Sequence, residues 1–453
     1  MRLSRTPWPL LVAAAGLVAA AGLAAADDAV EALARFGDLV RRNAADLRGC
    51  ECVETIQRSY YQANRSKPFH DCDEVNAAKT KRGYKLTLES TDRVRLDVRT
   101  SAAAELYAWP GSGDFKPPDL WRMIGYGPAN TGSFETTLRQ VVQGDAGDFS
   151  FQGEIEESGR KLYKYAFRVP QEKSNWEIDL GNETVVTGWD GTVLLDPETA
   201  EPVRLTTRTS ELPAGSFSCE LDTAAEYART AVDSRTLLLA RETRQHYLDR
   251  SGAEVQSVIS FSGCHEYRDT PRASAPARAP EAGSFVPNGA AAAPALSPPM
   301  GLPVDIALTS PIDSATAAAG DGFTGTVLDD VRDDAVVIVP RGAAITGRVA
   351  RVSVQVKPPK VLFWLQVETV HLDGADVPIR LTGRFVPRGG ALREYLESLS
   401  VRVGADGSGG GAGMATHGST IIPPQQVGQN DVLTFPGTSK LLEAGFKTHW
   451  RTD

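Results

Sequence analysis

The chain has 453 residues and a formal net charge of −9, from 48 basic and 57 acidic side chains. At roughly 150 residues per domain, this length allows two or three domains, each able to bury its own core. The acidic balance offers no basic surface for nucleic acid, so we expect no nucleic acid partner.

The first 26 residues have the pattern of a secretory signal peptide. Two early arginines precede the apolar segment 10–26, which ends in small alanine side chains. Signal peptidase requires small residues at this position, so the pattern predicts cleavage of residues 1–26 and a mature chain that begins at Asp27. An uncleaved anchor is the alternative, but this alanine-rich segment is weak for a membrane span. No later segment is apolar over the length of a span, so we expect no transmembrane span after cleavage and a periplasmic or secreted location in a bacterial envelope.

Residues 27–268 begin with an amphipathic helix and continue with strands. Apolar residues recur every three or four positions, and this spacing predicts one helix of about 20 residues. The residues of its expected apolar stripe are Val30, Leu33, Phe36, Val40 and Leu47. From Cys50 to Arg268 apolar and polar residues alternate, which indicates antiparallel strands with one buried face. Within this region, a second short helix is predicted over residues 134–142. We expect a mainly β domain with few helices, folded as a curved antiparallel half-barrel with an N-terminal helix.

Two changes of composition divide the rest of the chain. Half of residues 269–302 are Pro or Ala, which is typical of an extended linker and indicates a domain boundary. Residues 303–453 return to short strands with tight turns, which predicts a small all-β barrel or sandwich. Within it, the segment 361–365 is apolar on both faces and is expected to cross the middle of the core.

The five cysteines are the main chemical feature of the sequence. An exported protein meets an oxidising compartment, so all five are disulfide candidates: Cys50, Cys52, Cys72, Cys219 and Cys264. Five is an odd number, so at least one thiol is free or pairs with another molecule. The last two cysteines fall on the outer strands of a predicted three-stranded meander, which separates them by more than a disulfide can span unless the sheet curves strongly or closes.

The first three cysteines lie close together in the sequence. This proximity favours a bond from Cys50 or Cys52 to Cys72, and free thiols are the alternative. Together with His70, the same thiols could also hold a tetrahedral zinc ion, but the C-x-C spacing and the oxidising compartment favour a disulfide over the metal.

No catalytic constellation is present in the sequence. There is no G-x-S-x-G or Walker A motif, and the six histidines are scattered. We therefore predict a protein that is not an enzyme, with no catalytic residues, no cofactor and no metal.

A hairpin in the first domain carries a family resemblance. Residues 188–205 place Asp196-Pro-Glu-Thr-Ala-Glu-Pro between two strands, and this segment resembles the strand, D-P-x-T-G-x-P, strand hairpin of LolA/RseB-like proteins of bacterial envelopes. Ala200 stands where that turn usually carries Gly. Members of the family are incomplete β-barrels wrapped around helices, and several hold lipid or acyl chains in the concave face. The resemblance implies a LolA-like domain over residues 27–268 that binds an apolar ligand or a lipidated protein.

The second domain has a different resemblance. It is similar to the TrbI-like β-barrel domain of type IV secretion outer-membrane cores, on residues 313–321, 336–349, 433–437 and 445–450. That family's barrel carries a hydrophobic helical hairpin that crosses the outer membrane. Here, the corresponding residues 386–430 contain only a charged stretch, 392–399, and a loop with seven glycines, 404–418. We therefore expect a stand-alone barrel rather than a pore.

Two functional hypotheses follow. In the first, the protein is an exported, non-enzymatic envelope protein whose N-terminal domain binds an apolar ligand or a lipidated partner. In the second, it is a structural or assembly scaffold of an envelope or secretion-like complex and binds other envelope proteins through its surfaces. The concave face discriminates them: an open apolar cleft favours the first, whereas a cleft filled by the helix and by side chains such as Trp189 favours the second.

Overall fold

The computed structural model describes residues 13–64, 69–101, 105–116, 120–124, 126–142, 147–174, 176–179, 184–209, 212, 218–267, 296, 298–383, 419–420 and 432–453. The helices are α1 (Ala13–Asp46), α2 (Cys72–Lys79), α3 (Leu120–Ile124), α4 (Thr136–Val142) and a 3-10 turn (Gln171–Lys173).

The strands of the N-terminal part are β1 (Cys50–Ala63), β2 (Leu86–Thr100), β3 (Glu105–Ala108), β4 (Ala129–Asn130), β5 (Asp148–Glu157), β6 (Arg160–Val169), β7 (Trp176–Asp179), β8 (Thr184–Thr187), β9 (Trp189–Leu195), β10 (Pro202–Thr209), β11 (Ser218–Val232), β12 (Arg235–Asp249) and β13 (Ala253–Glu266). Those of the C-terminal part are β14 (Pro303–Leu308), β15 (Ile312–Asp313), β16 (Gly322–Val327), β17 (Val331–Asp333), β18 (Val336–Val339), β19 (Ala344–Val356), β20 (Pro359–Leu372), β21 (Ala375–Pro378), β22 (Leu381–Gly383), β23 (Ser419–Thr420), β24 (Val432–Pro436), β25 (Leu441–Leu442) and β26 (Lys447–Thr452).

The mainly β fold class is confirmed, and most strands belong to one antiparallel sheet of 18 strands. In the N-terminal part the pairings run β5–β6–β9–β10–β11–β12–β13–β1–β2–β3. The predicted meander is present as β11, β12 and β13. The last strand of this part, β13, lies beside the first strand, β1, so the two ends of the N-terminal sequence meet in the middle of the sheet.

The two faces of this sheet have different surroundings. The inner face, which includes Val193 and Leu205, packs against α1 and forms one hydrophobic cluster with it. The neighbouring residues Thr192 and Thr206 belong to the opposite, outer face. This alternation is the period-two pattern of a sheet with one covered face.

Helix α1 packs on the inner face through a stripe shifted from the predicted one. Phe36 and Val40 are buried as predicted, whereas the prediction for Val30 is wrong because its side chain is 70% exposed. Ala29 lies against the sheet instead, and its carbonyl accepts a hydrogen bond from the hydroxyl of Tyr165 at 2.7 Å. A small side chain at this position lets the helix backbone approach the sheet closely.

Helix α2 was not predicted from the sequence. It begins after Asp71, whose carboxylate accepts a hydrogen bond from the backbone N–H of Glu74 at 2.8 Å as an N-cap. Val75 is its fully buried residue and packs with Leu248 at one end of the outer face. The predicted helix over residues 134–142 is confirmed as α4.

The C-terminal part surrounds a second hydrophobic cluster. Its pairings run β26–β14–β16–β19–β20. The consecutive strands β21 and β22 pair with β20 and with β26, respectively. Residues 361–365 of β20 are all buried, which confirms that this segment crosses the core.

Backbone contacts join the two parts. Strand β2 pairs with β19, and the N–H of Arg95 donates to the carbonyl of Ala319 at 2.8 Å. The Arg95 guanidinium also forms an ion pair with Asp321. The assignment of residues 27–268 and 303–453 as separate domains stays a prediction, and these contacts show that they share a sheet.

Most of the predicted linker lies outside the described residues. At its described end, the N–H of Leu296 donates to the carbonyl of Pro378 at 2.9 Å. The charged stretch 392–399 and the glycine loop 404–418 also lie outside them. Where the structure describes side chains, no helix is long and apolar enough to cross a membrane.

Candidate functional site

The inner face, where the sequence suggests an apolar ligand, is occupied by the protein's own side chains. Trp189 is 1% exposed and packs against Phe167 and Trp176, with ring centroids 5.5 and 5.4 Å apart. Phe36 of α1 is fully buried in the same cluster. Around these described residues, the concave side of the sheet is therefore a filled core and not an open apolar cleft.

The hairpin that carries the family resemblance holds α1 in place. Its turn is closed by Asp196, whose carboxylate accepts the N–H groups of Glu198 and Thr199 at 3.0 and 3.1 Å. Ala200 has a φ of +57°, the left-handed conformation that explains why glycine is usual there. The Arg35 guanidinium of α1 donates to two carbonyls of this turn, each at 2.9 Å.

The cysteines pair differently from the sequence expectation. The bonds are Cys52–Cys264 and Cys72–Cys219, so the predicted bond from Cys50 or Cys52 to Cys72 is wrong. The physical reason is the pairing of β1 with β13, which places Cys52 opposite Cys264 with their Cα atoms 4.1 Å apart. The expected separation of Cys219 from Cys264 agrees with their bonding to other partners.

The alternative zinc site is also excluded by this pairing, because two of its thiols are consumed in bonds to distant strands. His70 is exposed and lies beside Glu74, with Nδ1 3.1 Å from a carboxylate oxygen. Cys50 is the free cysteine, buried, with Arg235 donating to its sulfur at 3.2 Å. Burial raises the pKa of the Cys50 thiol, although the Arg235 charge opposes this shift.

A groove of about 950 Å³ crosses the outer face from β6 to β13. Small side chains that the strand register places next to one another form its floor: Ala166, Thr192, Thr206 and Ala224. The hydroxyls of Thr192 and Thr206 hydrogen-bond to each other at 2.8 Å. Six strands at about 4.8 Å spacing make this groove about 24 Å long. We call it the outer groove.

Side chains that alternate between acidic and basic types form one side of the outer groove. The register aligns Asp190 of β9, Arg208 of β10, Asp222 of β11 and His246 of β12 in one row. Arg208 donates to Asp222 at 3.0 Å. Opposite charges on neighbouring strands stabilise the sheet modestly, and here they also line a cavity with paired charges.

Three potential ligand side chains gather on β11 and β12, on the charged side of the outer groove. The ligand atoms of Glu220, Asp222 and His246 all lie within 4.8 Å of one another. The carboxyl groups of Glu220 and Asp222 hydrogen-bond to each other. Burial raises the pKa of Asp222. The pKa of Glu220 is lowered, because the hydrogen bonds from Lys79 and Asp222 outweigh the effect of its burial. His246 Nε2 is 2.9 Å from Oε2 of Glu254, a carboxylate that is itself buried.

A buried charge network lies where the two parts of the chain meet. Arg58 and Asp92 are fully buried and form a bidentate pair with nitrogen–oxygen distances of 2.6 and 3.0 Å. Tyr60 donates to the same carboxylate at 2.9 Å, and the Arg351 guanidinium from the C-terminal part lies 3.9 Å from it. Burial and these hydrogen bonds make the network a structural junction, because every charged group faces a partner.

A second buried group of acids lies beside α4. Glu105 accepts the N–H groups of Glu135 and Thr136 at 2.7 and 2.9 Å at the start of the helix. Burial raises the pKa of Glu135 to about 7, against the opposing charge of Arg139. Glu54 is fully buried, and neither of its carboxyl oxygens has a hydrogen-bond partner among the described residues. Burial raises the pKa of Glu54 well above its usual range.

Comparison with known proteins gives structural similarities only. No family model matches the chain, and no curated protein is similar to it in sequence. Solved structures that it resembles include a LolA superfamily protein from Nitrosomonas europaea, with 8% identity and a TM-score of 0.24 over 51% of this chain and 93% of that one. A DUF1329 family protein from Desulfovibrio piger has 12% identity and a TM-score of 0.25 over 52% and 93%. An outer membrane lipoprotein-sorting protein domain from Vibrio parahaemolyticus has 9% identity and a TM-score of 0.24 over 51% and 92%.

Two of these names match the family that the hairpin resembles. None of the three names a secretion component, so the TrbI-like resemblance of residues 303–453 stays a prediction.

Sequence reasoning missed the outer groove. The alternating strands were identified, but the row of Asp190, Arg208, Asp222 and His246 comes from four strands whose register is a tertiary property. The available signal was the placement of charged or polar residues at every second position of those strands. That signal indicates a solvent-facing side and does not show which residues become neighbours.

Proposed function

We propose that the protein is a non-enzymatic, exported binding protein of the bacterial envelope that docks a protein partner in the outer groove. The observation that carries this proposal is the contrast between the two faces: the inner face is a filled core, whereas the outer face has an open groove with charged side chains along one side. By the criterion set from the sequence, this favours the assembly or scaffold function over carriage of an apolar ligand.

The dimensions and charge of the outer groove favour a helix as its occupant. A length of about 24 Å corresponds to about 16 helical residues at 1.5 Å per residue. The small side chains of the floor allow a helix to approach closely, and the paired charges along the side favour a partner with both acidic and basic side chains. An acyl chain has no polar group to offer the charged side of the groove.

Site-specific photo-crosslinking in the native host tests this proposal. A photoreactive residue at Thr206, on the floor, should give adducts of discrete protein mass. Ala224→Trp fills the groove and should abolish them, while Ala231→Trp, at an exposed position of the same strand, should leave them unchanged. No protein adduct at position 206, or an adduct that persists in Ala224→Trp, would contradict docking in this groove.

One observation favours a second candidate, an apolar ligand beneath α1. Cleavage after residue 26 would leave α1 as the N-terminal element of the mature chain, and the surface that it covers is aromatic and aliphatic. A terminal helix held by a few polar contacts can be displaced at lower cost than an internal one. Native mass spectrometry after mild extraction checks this candidate: a bound mass in the lipid range supports it, and an unliganded mass alone contradicts it.

Export itself is part of the proposal. Two disulfides between cysteines far apart in the sequence suit an oxidising compartment, and residues 1–26 have the signal-peptide pattern. Intact mass of the protein from its host should correspond to a chain beginning at Asp27 with two disulfides. A chain that retains Met1 and has five reduced thiols would refute the proposed location.

A further inference from the structure

A histidine and two carboxylates converge on the charged side of the outer groove. Asp222 of β11 lies directly opposite His246 of β12, and Glu220 is on the same strand as Asp222. Their ligand atoms all lie within 4.8 Å of one another, so rotation of the side chains would bring all three into contact with a single ion. This distance comes from the strand register, because the three residues belong to two rigid paired strands.

The two carboxyl groups lie beside each other, and each also faces one cation, Lys79 or Arg208. Their oxygens lie at hydrogen-bonding distance from each other, and two ionised carboxylates repel strongly at that separation. The shared proton and the Lys79 and Arg208 charges reduce this repulsion, and a bound cation would reduce it further. A cation that also contacts His246 would satisfy all three groups at once.

The imidazole is oriented as metal-binding histidines usually are. Nε2 of His246 is 2.9 Å from Glu254, whose carboxylate is 4% exposed and also accepts a hydrogen bond from the Tyr84 hydroxyl at 3.3 Å. A carboxylate on one ring nitrogen fixes the orientation of the ring and makes the other nitrogen a better ligand. Among the described residues Nδ1 has no hydrogen-bond partner, so it is available to an ion.

We propose that Glu220, Asp222 and His246 form a binding site for a divalent transition metal ion of the zinc type. One imidazole and two carboxylates are a donor set that suits Zn²⁺, and three protein ligands leave a fourth position for water or for a group of a bound molecule. This site is independent of the proposed docking function, since its occupancy can be measured on the isolated protein.

Two neighbouring cations set the expected affinity. Lys79 Nζ lies 2.6 Å from one oxygen of Glu220, and Arg208 Nε lies 3.0 Å from one oxygen of Asp222. Each carboxylate retains a second oxygen for a metal, but the two positive charges oppose a divalent ion. Removing the Lys79 charge should therefore tighten binding, a response opposite to that of losing a ligand.

Calorimetric titration of the oxidised, chelator-treated mature protein with ZnCl₂ at pH 7 tests the site. We expect one saturable site in the wild type, at least 10-fold weaker binding in His246→Gln and Asp222→Asn, and tighter binding in Lys79→Met. His371→Ala is the matched control, because that histidine also pairs with a carboxylate at 2.9 Å but lies on β20, outside the groove.

Each outcome decides the proposal. Unfolding midpoints of the variants, measured in parallel, separate a lost ligand from a lost fold, and Lys79→Met keeps all three ligands in place. No saturable binding in the wild type, equal losses in His246→Gln and His371→Ala, or weaker binding in Lys79→Met would overturn it. A failed crosslink at position 206 with intact zinc binding would refute only the docking function.

Discussion

The two disulfides are nested, and this arrangement determines what each contributes to stability. The two bonds span 147 and 212 residues, and the Cys72–Cys219 bond lies inside the loop closed by Cys52–Cys264. When one bond is already formed, the second therefore closes an additional loop of only about 65 residues, the difference between the two separations. A loop of that length corresponds to about 4 kcal/mol of entropy removed from the unfolded chain. We expect each pair of Cys→Ala substitutions to lower the free energy of unfolding by about 4 kcal/mol, despite the different separations.

Removing both bonds should cost about 9 kcal/mol, because the second loss opens one of the large loops. That sum is comparable to the whole stability of a typical domain, so the doubly reduced chain is expected to be largely unfolded. Urea unfolding followed by circular dichroism, without reductant and in a Cys50→Ser background that prevents thiol exchange, measures these values. A loss below about 1 kcal/mol for either single bond, or single losses that differ by more than about 2 kcal/mol, would refute the nested-loop reasoning.

Three further predictions concern the buried charges and the domain boundary. Asp92→Asn leaves the fully buried Arg58 without its counter-charge and should lower the free energy of unfolding by about 3–5 kcal/mol. The control Arg244→Ala removes an exposed ion pair and should change the free energy of unfolding by less than about 1 kcal/mol. Similar losses in the two variants would contradict the assigned burial. The pKa of Glu135 is about 7 in the folded protein and near 4.5 when unfolded, so its contribution to stability is complete below pH 4.5 and is lost as pH rises through 7. Glu135→Gln should reduce the pH dependence of urea unfolding between those values, and an unchanged slope would assign it to other groups. Mild proteolysis should cut the chain within residues 269–302. Because β2 pairs with β19, the two fragments should stay together and co-elute on gel filtration. Fragments that unfold would show that the two halves are not separate domains.

Local patterns were sufficient for most of the long strands and for much of the core. Alternation of apolar and polar residues identified β11, β12 and β13, and the continuous apolar run over 361–365 identified a buried strand because nothing polar in it could face water. The same reasoning failed for Val30, because a helix has several apolar residues near one side and the sheet decides which of them it contacts. It also missed α2, although its N-cap at Asp71 was a usable signal.

The sequence by itself determined the type of each main element, the mainly β class, the number of thiols and the turn chemistry of the hairpin at Asp196, since these depend on residues near one another in the chain. Only the tertiary structure decided which strands become neighbours. The pairing of β1 with β13 selected Cys264 as the partner of Cys52, and the register of β11 against β12 brought Asp222 to His246. Cross-strand register depends on how the whole sheet buries its inner face, and a shift of one residue would have exchanged the two faces, so no local pattern contains it.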